Sequence, residues 1–365
     1  MGPTGVAARR TLRIPEAVPA GGGHGAHRGE HVLSRVADSI YWMNRYIERA
    51  ENTARFIDVN LNLMLDLPPG SNEQWEPLVR TTADLPLFRE HYGEATRSNV
   101  CEFLSFDPDN PNSIIRCVHA ARENARSVRD TISSEMWEQV NTFHLMVRHA
   151  AFARNREDYH LFYSRVKHEA HMFAGITDAT MSHGEGFHFG RLGRMIERAD
   201  KTSRLLDVKY FILLPTVSDV GTPYDDLQWS ALLKSTSALE MFRKRFGRIQ
   251  PERVADFLIL DREFPRSILF CLERAEDSLR IITGAPMGTF DNDAQQLLGR
   301  LCARLRYVRI EEVIRQGLHE FLDGVQRELN AIGDGIHAAF FALRPVGEMP
   351  VLRSGGVQVS GMRLR

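Results

Sequence analysis

Glu48 to Val59 reads ERAENTARFIDV, and Glu197 to Val208 reads ERADKTSRLLDV. The two segments agree at seven of twelve positions, and Glu51 with Asp200 makes a conservative eighth. Glu273 to Arg280 reads ERAEDSLR, a third copy. His119 to Arg126 reads HAARENAR, which keeps only the small residues and the terminal arginine. The copies start at 48, 119, 197 and 273, which are 71, 78 and 76 residues apart. So regular an interval is the mark of duplicated units, and it predicts about four related helical units.

Around the copies, apolar residues recur at steps of three and four. Val36, Ile40, Met43, Ile47, Ala50, Ala54, Ile57, Leu61 and Met64 trace one face of a long helix that Pro68, Pro69 and Gly70 stop. After Asn110-Pro111-Asn112, Ser113 is placed to cap a helix through Ile114, Val118, Ala121, Ala125 and Val128. Helical periods fill 133–153 and 158–173. A second long helix starts near Gly186, runs through Leu192, Ile196, Ala199, Leu205, Leu206 and Phe211, and ends near Pro215. Gly221-Thr222-Pro223 reads as a linker, and helical stretches follow at 225–246, 251–260, 264–283, 291–303, 306–332 and 334–342. Alternating strand-like segments are missing, so the predicted class is all-α, a multi-helix bundle.

Residues 1–31 are rich in Gly, Ala, Pro and Arg and show no hydrophobic period; they read as a disordered N-terminal extension or as a translation start placed too early. Residues 32–344 form the predicted helical domain, with halves of about 32–215 and 224–344, and 345–365 read as a flexible tail.

Within each strong copy the positions i, i+3 and i+7 carry acid, acid and arginine: Glu48, Glu51, Arg55; Glu197, Asp200, Arg204; Glu273, Glu276, Arg280. At about 100° per residue they share one flank, away from the main apolar stripe. The acid at i+3 precedes the arginine by four, the favoured order for an intrahelical pair. Arg49, Arg198 and Arg274 point to another side. Two uses follow. The flanks are structural ion pairs, or they converge with His119, Arg122 and Arg126 into a mixed-charge central pocket or buried network.

Composition narrows the function. Lysine and arginine number 46 against 47 acidic residues, which leaves no electrostatic case for nucleic acid or an anionic membrane. No run of about 18 apolar residues occurs, so no membrane span is expected. Cys101, Cys117, Cys271 and Cys302 are scattered without a C-x-x-C pair, which fits a reducing cytoplasm. The chain lacks a P-loop, a Gly-rich phosphate cradle and a nucleophile elbow, and Glu185-Gly-Phe-His188 is a single Glu-x-x-His match where a di-metal bundle needs two. No cofactor and no metal are expected. His144, His149, His160, His168 and His171 fall within helices without a complete ligand set, and Trp42 and Trp137 read as packing anchors.

Taken together, these motifs resemble the bacterial alpha-E domain family of helical proteins, named for their Glu-Arg motif. The resemblance rests on Leu33 to Trp42 followed by Arg45 to Arg55, on Ala121 to Arg126 leading to Ser133 to Trp137, on Gly186 to Arg194 leading to Ile196 to Asp200, and on Phe264 to Ile268 before Glu273. It covers about 32–344. One departure stands before Gly186, where Ser182-His183-Gly184-Glu185 replaces an Arg-Asp-Glu type approach, so no aspartate role carries over there.

The resemblance implies a protein encoded beside, or fused to, a circularly permuted ATP-grasp protein, often with a transglutaminase-like peptidase nearby. The function it implies is an accessory helical partner in an amide- or peptide-ligase or peptide-modifying system, not catalytic on its own. The alternative is an enzyme or ligand-binding protein that uses the central Glu/Arg pocket, with Glu48, Glu197 or Glu273 moving a proton and an arginine clamping a carboxylate or phosphate.

Overall fold

The longest apolar period of the sequence becomes α1 (Ser34–Asp66), whose Ile40, Met43, Ile47, Ala50, Ala54, Ile57 and Leu61 are all buried. The computed structural model describes residues 33–66, 75–152, 159–211, 223–286 and 288–342. Short helices α2 (Glu76–Thr82), α3 (Leu85–His91) and α4 (Arg97–Ser105) come next. The first two carry proline in their first turn, where the missing N–H has no helical partner to lose. Ser113 caps α5 (Ile114–Ser127) as the sequence predicts, its hydroxyl accepting from the Arg116 N–H. With α6 (Ser134–Phe152) and α7 (Tyr159–Thr180) these form a first bundle, in which α5 and α7 pack on α1 and α6 lies between α5 and α7.

A second bundle repeats the plan. It begins with α8 (Glu185–Phe211) and continues through α9 (Pro223–Ser235), α10 (Leu239–Phe246), α11 (Pro251–Leu260), α12 (Ile268–Thr283), α13 (Asp293–Tyr307), α14 (Ile310–Gln316) and α15 (Leu318–Ile336). Here α12 and α15 pack on α8, and α13 lies between them. A π-helical turn at His337–Phe341 extends α15 and packs back on α1.

The loops before α5 and α12 are built alike. Asp107 Oδ1 accepts from the Asp109 N–H and Asp261 Oδ1 from the Glu263 N–H, both at 2.8 Å. Ser113 and Ser267 each donate to the aspartate's carbonyl, and Cys117 and Cys271 each to a proline carbonyl. This equivalence sets Asn112 of the first bundle against Arg266 of the second.

Each bundle has its own apolar cluster, and α1 and α8 lie side by side between the two. They run parallel: the backbone of Gly186 meets Ile40, Gly190 meets Asn44, and Leu205 and Val208 share a groove with Phe56 and Val59. The second bundle therefore starts at α8 rather than after the linker at 221–223, because Leu192, Ile196, Ala199 and Leu206 belong to the same cluster as Leu272 and Leu329. Pro68, Pro215, Gly221, Thr222, residues 1–31 and the tail from 345 lie outside the described residues.

Local backbone accounts for the other differences from the sequence reading. The stretch 225–246 is two helices, divided where Ser237 takes a φ of 54°. The stretch 306–332 is divided twice, at the extended residues Val308 and Arg309 and at Gly317, whose φ of 106° suits glycine. The three helices between 76 and 105 are too short, at 7 to 9 residues, to display a period.

Close approach of α1 and α8 depends on Gly193. A Cβ there would lie 2.5 Å from the Tyr41 carbonyl oxygen, a backbone atom that cannot swing aside. Gly193→Ala is expected to destabilise the protein by about 1–3 kcal/mol despite alanine's better helix propensity. Urea unfolding measures this, and a variant as stable as the parent would contradict the close approach.

Candidate functional site

Burial turns the first two signature copies toward each other. Packed by α5, α7 and α8, α1 has no solvent flank at its centre, so Glu48 is 5% exposed and Glu51 1%. On α8, Glu197 is 0% and Asp200 7% exposed. A charge so placed needs strong partners, because bare burial of a carboxylate is costly.

The partners come reciprocally. Arg198 of α8 forks onto Glu48 of α1, Nε donating to Oε1 and Nη2 to Oε2, each at 2.8 Å. Arg49 of α1 forks onto Glu197 of α8, Nε donating to Oε1 at 2.7 Å and Nη2 to Oε2 at 3.0 Å. The expectation that Arg49 and Arg198 point elsewhere is thus corrected. One step round the helix from the glutamate faces the neighbouring parallel helix, and a long arginine side chain spans the gap. Such bidentate, charge-assisted pairs are the strong kind.

Further cations complete the layer. Arg45 Nε donates to Glu197 at 2.9 Å, and Lys201 Nζ stands 3.7 Å from it. Arg266, from the loop before α12, donates to Glu51 at 2.8 Å and to Asn52 at 2.9 Å and reaches Glu48 at 3.4 Å. The intrahelical pairs predicted at i+3 and i+7 form in these two copies: Arg55 donates to Glu51, and Arg204 Nε to Asp200 at 2.9 Å. Arg49 also donates to Asn112, which in turn donates to Asp84.

The other two copies face away. On α12, Glu273 and Glu276 both pair with Arg306 of α13, while Arg274 and Arg280 pair with Asp277. On α5, Arg122 bonds Asn141 and Glu123 and stacks on Trp137, Arg126 pairs with Glu123, and His119 lies against His144. The physical reason is shared. α5 and α12 use their small and apolar faces, including Cys117, Ala121, Cys271 and Ala275, toward the bundle cores, which turns their charged flanks to α6 and α13.

Burial raises the carboxyls of Glu197 and Glu51, but Arg49, Arg45 and Lys201 outweigh it at the first and Arg266 and Arg55 at the second. Both stay well below the usual carboxylate range. Glu48 and Asp200 are lowered in the same way, by Arg198 and by Lys201 with Arg204. Arg49 and Arg198, in turn, are held more firmly protonated than a free guanidinium despite their burial. Groups so fixed accept hydrogen bonds but have no proton to lend near neutral pH. The cavity beside Glu48 and Glu51 measures only about 20 Å³.

Other chemistry-bearing groups lie elsewhere. A cleft of about 520 Å³ opens between α12 and α13, lined by Glu276, Arg280, Arg306, Leu279, Leu298 and Phe290. His91, Asp107 and Asp109 bring three ligand atoms within 4.8 Å of one another, a grouping the sequence reading did not anticipate, although Asp107 already serves its own loop. Burial pushes the thiols of Cys117 and Cys271 up to about 12, so neither is a nucleophile. No described helix is long and apolar enough to cross a membrane.

Two parallel helices that exchange Glu-Arg pairs between twin bundles define a class of all-helical protein. The chain belongs to the Alpha-E family, described as a predicted alpha-helical domain with a conserved ER motif, whose profile matches residues 32–341. It is also similar, at 24% identity over 345 residues, to uncharacterized proteins of Mycobacterium tuberculosis and Mycobacterium bovis, the match taking in 87% of this chain and 38% of theirs. The chain thus spans well under half the length of these relatives. No solved structure matches it.

The depressed carboxyls fix the pH dependence. Because the folded values of Glu197 and Glu51 lie below the ordinary 4.5, their stabilisation is complete above that value and is lost as pH falls through the folded values. Urea midpoints are expected to be level from about pH 7 to pH 5 and to drop in stronger acid. Glu197→Gln leaves two arginines without their carboxylate and is expected to lose about 3–5 kcal/mol at neutral pH, with a shallower acid slope. A parent-like acid slope in that variant would contradict the assignment.

Proposed function

We propose that this chain is a helical partner protein, not catalytic by itself, in an ATP-grasp-type amide- or peptide-ligase or peptide-modifying system. The observation that carries this reading is the state of the central layer: its carboxylates are engaged by two or more cations each, held deprotonated, and served by a cavity too small for a substrate. Such a layer fixes the geometry of two bundles and leaves their outer faces for docking. The length of the mycobacterial relatives supports the same reading, since the matched region there is accompanied by further chain. A circularly permuted ATP-grasp protein supplies the nucleotide chemistry in this scheme, and a transglutaminase-like peptidase is a further component. The four signature copies are, on this view, relics of four related helical units, two in each bundle.

Co-expression with the ATP-grasp protein encoded nearest to it tests the proposal. The two are expected to co-elute in size exclusion, and the ligase activity is expected to change when this chain is added. The absence of both binding and a change in activity would refute the partner reading.

One observation favours the ligand-binding alternative, and it moves the site. The cleft between α12 and α13 combines an apolar floor with Glu276, Arg280 and Arg306, the mixed lining of a small-molecule pocket. If that reading holds, Arg280→Met abolishes binding of the ligand while thermal stability stays near that of the parent. An equal loss of both would mean a structural role.

A further inference from the structure

The reciprocal exchange between α1 and α8 is broken at one place. Arg45 and Arg194 each stand three residues before the glutamate of their own copy. Arg45 crosses to Glu197 of the other helix at 2.9 Å. By the same relation Arg194 should cross to Glu48, yet it makes no hydrogen bond or ion pair with any described residue, and its Nε is buried without a partner.

The two sides differ at the non-equivalent pair Asn112 and Arg266. Where the first bundle has Asn112, Glu197 keeps an oxygen for Arg45. Where the second has Arg266, that guanidinium approaches Glu48, which already takes both donors of the Arg198 fork and an Asn52 N–H on Oε1. Three donors crowd Oε1 of Glu48 and the Arg198 fork holds Oε2, and Arg194 bonds neither oxygen.

Arg194 borders the small cavity, together with Asn44, Glu48, His171, Arg198 and Arg266. The cavity's lining holds two carboxylates, Glu48 and Glu51, against three guanidiniums, Arg194, Arg198 and Arg266, so the fixed charges leave one positive charge over. Arg55, also on Glu51, adds a second. A volume of about 20 Å³ suits one water-sized occupant. We propose that this cavity is an anion site, in which Arg194 Nε donates to a small monovalent anion, a halide or one oxygen of a carboxylate, that replaces the missing second glutamate contact. Burial and the like charge of Arg198 both press the Arg194 guanidinium toward losing its proton, a strain that a bound anion relieves. The inference stands independently of the partner reading, because it concerns how the layer is neutralised.

The test is thermal unfolding of the full chain across a chloride series at constant ionic strength, with the bulky sulfonate MES, which carries no carboxylate, as the balancing ion. The midpoint is expected to rise with chloride and saturate. Arg194→Met, which keeps the bulk and removes the charge, is expected to be more stable than the parent in MES and to show no chloride response. A formate series separates the two sources: a response to formate alone assigns the site to a carboxylate, a response to chloride to a halide. A bromide-soaked crystal is expected to show an anomalous peak within hydrogen-bond distance of Arg194 Nε. A parent that responds to neither anion, or a response that survives in Arg194→Met, overturns the proposal, as does an empty cavity in bromide for a parent that responds to chloride.

Discussion

Glu48 with Arg198, and Glu197 with Arg49, form a ring of exchanged charge between two parallel helices, and the arrangement of both bundles hangs on it. Four ionic groups taken out of water are an expense that only close, bidentate contact offsets. That contact exists at one register alone. Sliding α8 by a turn along α1 would part the Arg198 fork from Glu48 and the Arg49 fork from Glu197. Apolar packing between helices tolerates such slips far better, because one leucine replaces another at modest cost. The layer therefore supplies specificity more than net stability, and the two apolar clusters beside it supply the stability.

The remaining architecture serves that layer. Gly190 and Gly193 remove side chains where α8 meets Asn44 and Tyr41, which lets the arginines reach across without stretching. The matched loops at Asp107 and Asp261 start α5 and α12 at equivalent points, and the second of them delivers Arg266 into the charged layer. Thr202 on α8 donates to the Arg266 carbonyl at 2.9 Å, so the backbone that carries this arginine is itself held by the signature segment.

Much of this was legible in the sequence, for identifiable reasons. Long helices such as α1 and α8 repeat their apolar period many times, and Ser113 follows a breaker that leaves a cap little choice. The helices from 76 to 105 complete about two to two and a half turns each, too few for a period to stand out. In the site, the acid-acid-arginine flank and its intrahelical pairs could be read, since both ends lie on one helix. The exchange through Arg49 and Arg198 could not, because it depends on which helix lies alongside and in which direction. Arg45, Arg194 and Arg266 stood in the motif stretches all along. Their roles needed the offset between the two bundles, which a comparison of 107–126 with 261–280 would have exposed.

The α1–α8 contact has the form of an interface in which residue i meets j and j meets i, as between two identical subunits related by a two-fold axis. In a true dimer every substitution would appear on both sides at once, so an arginine at the position of Arg266 would bring a second at the position of Asn112. Joining both halves in one polypeptide frees them from that identity. One side of the axis is closed by its own groups, while the other keeps an unmatched charge, an asymmetry open to a fused pair but closed to a symmetric one.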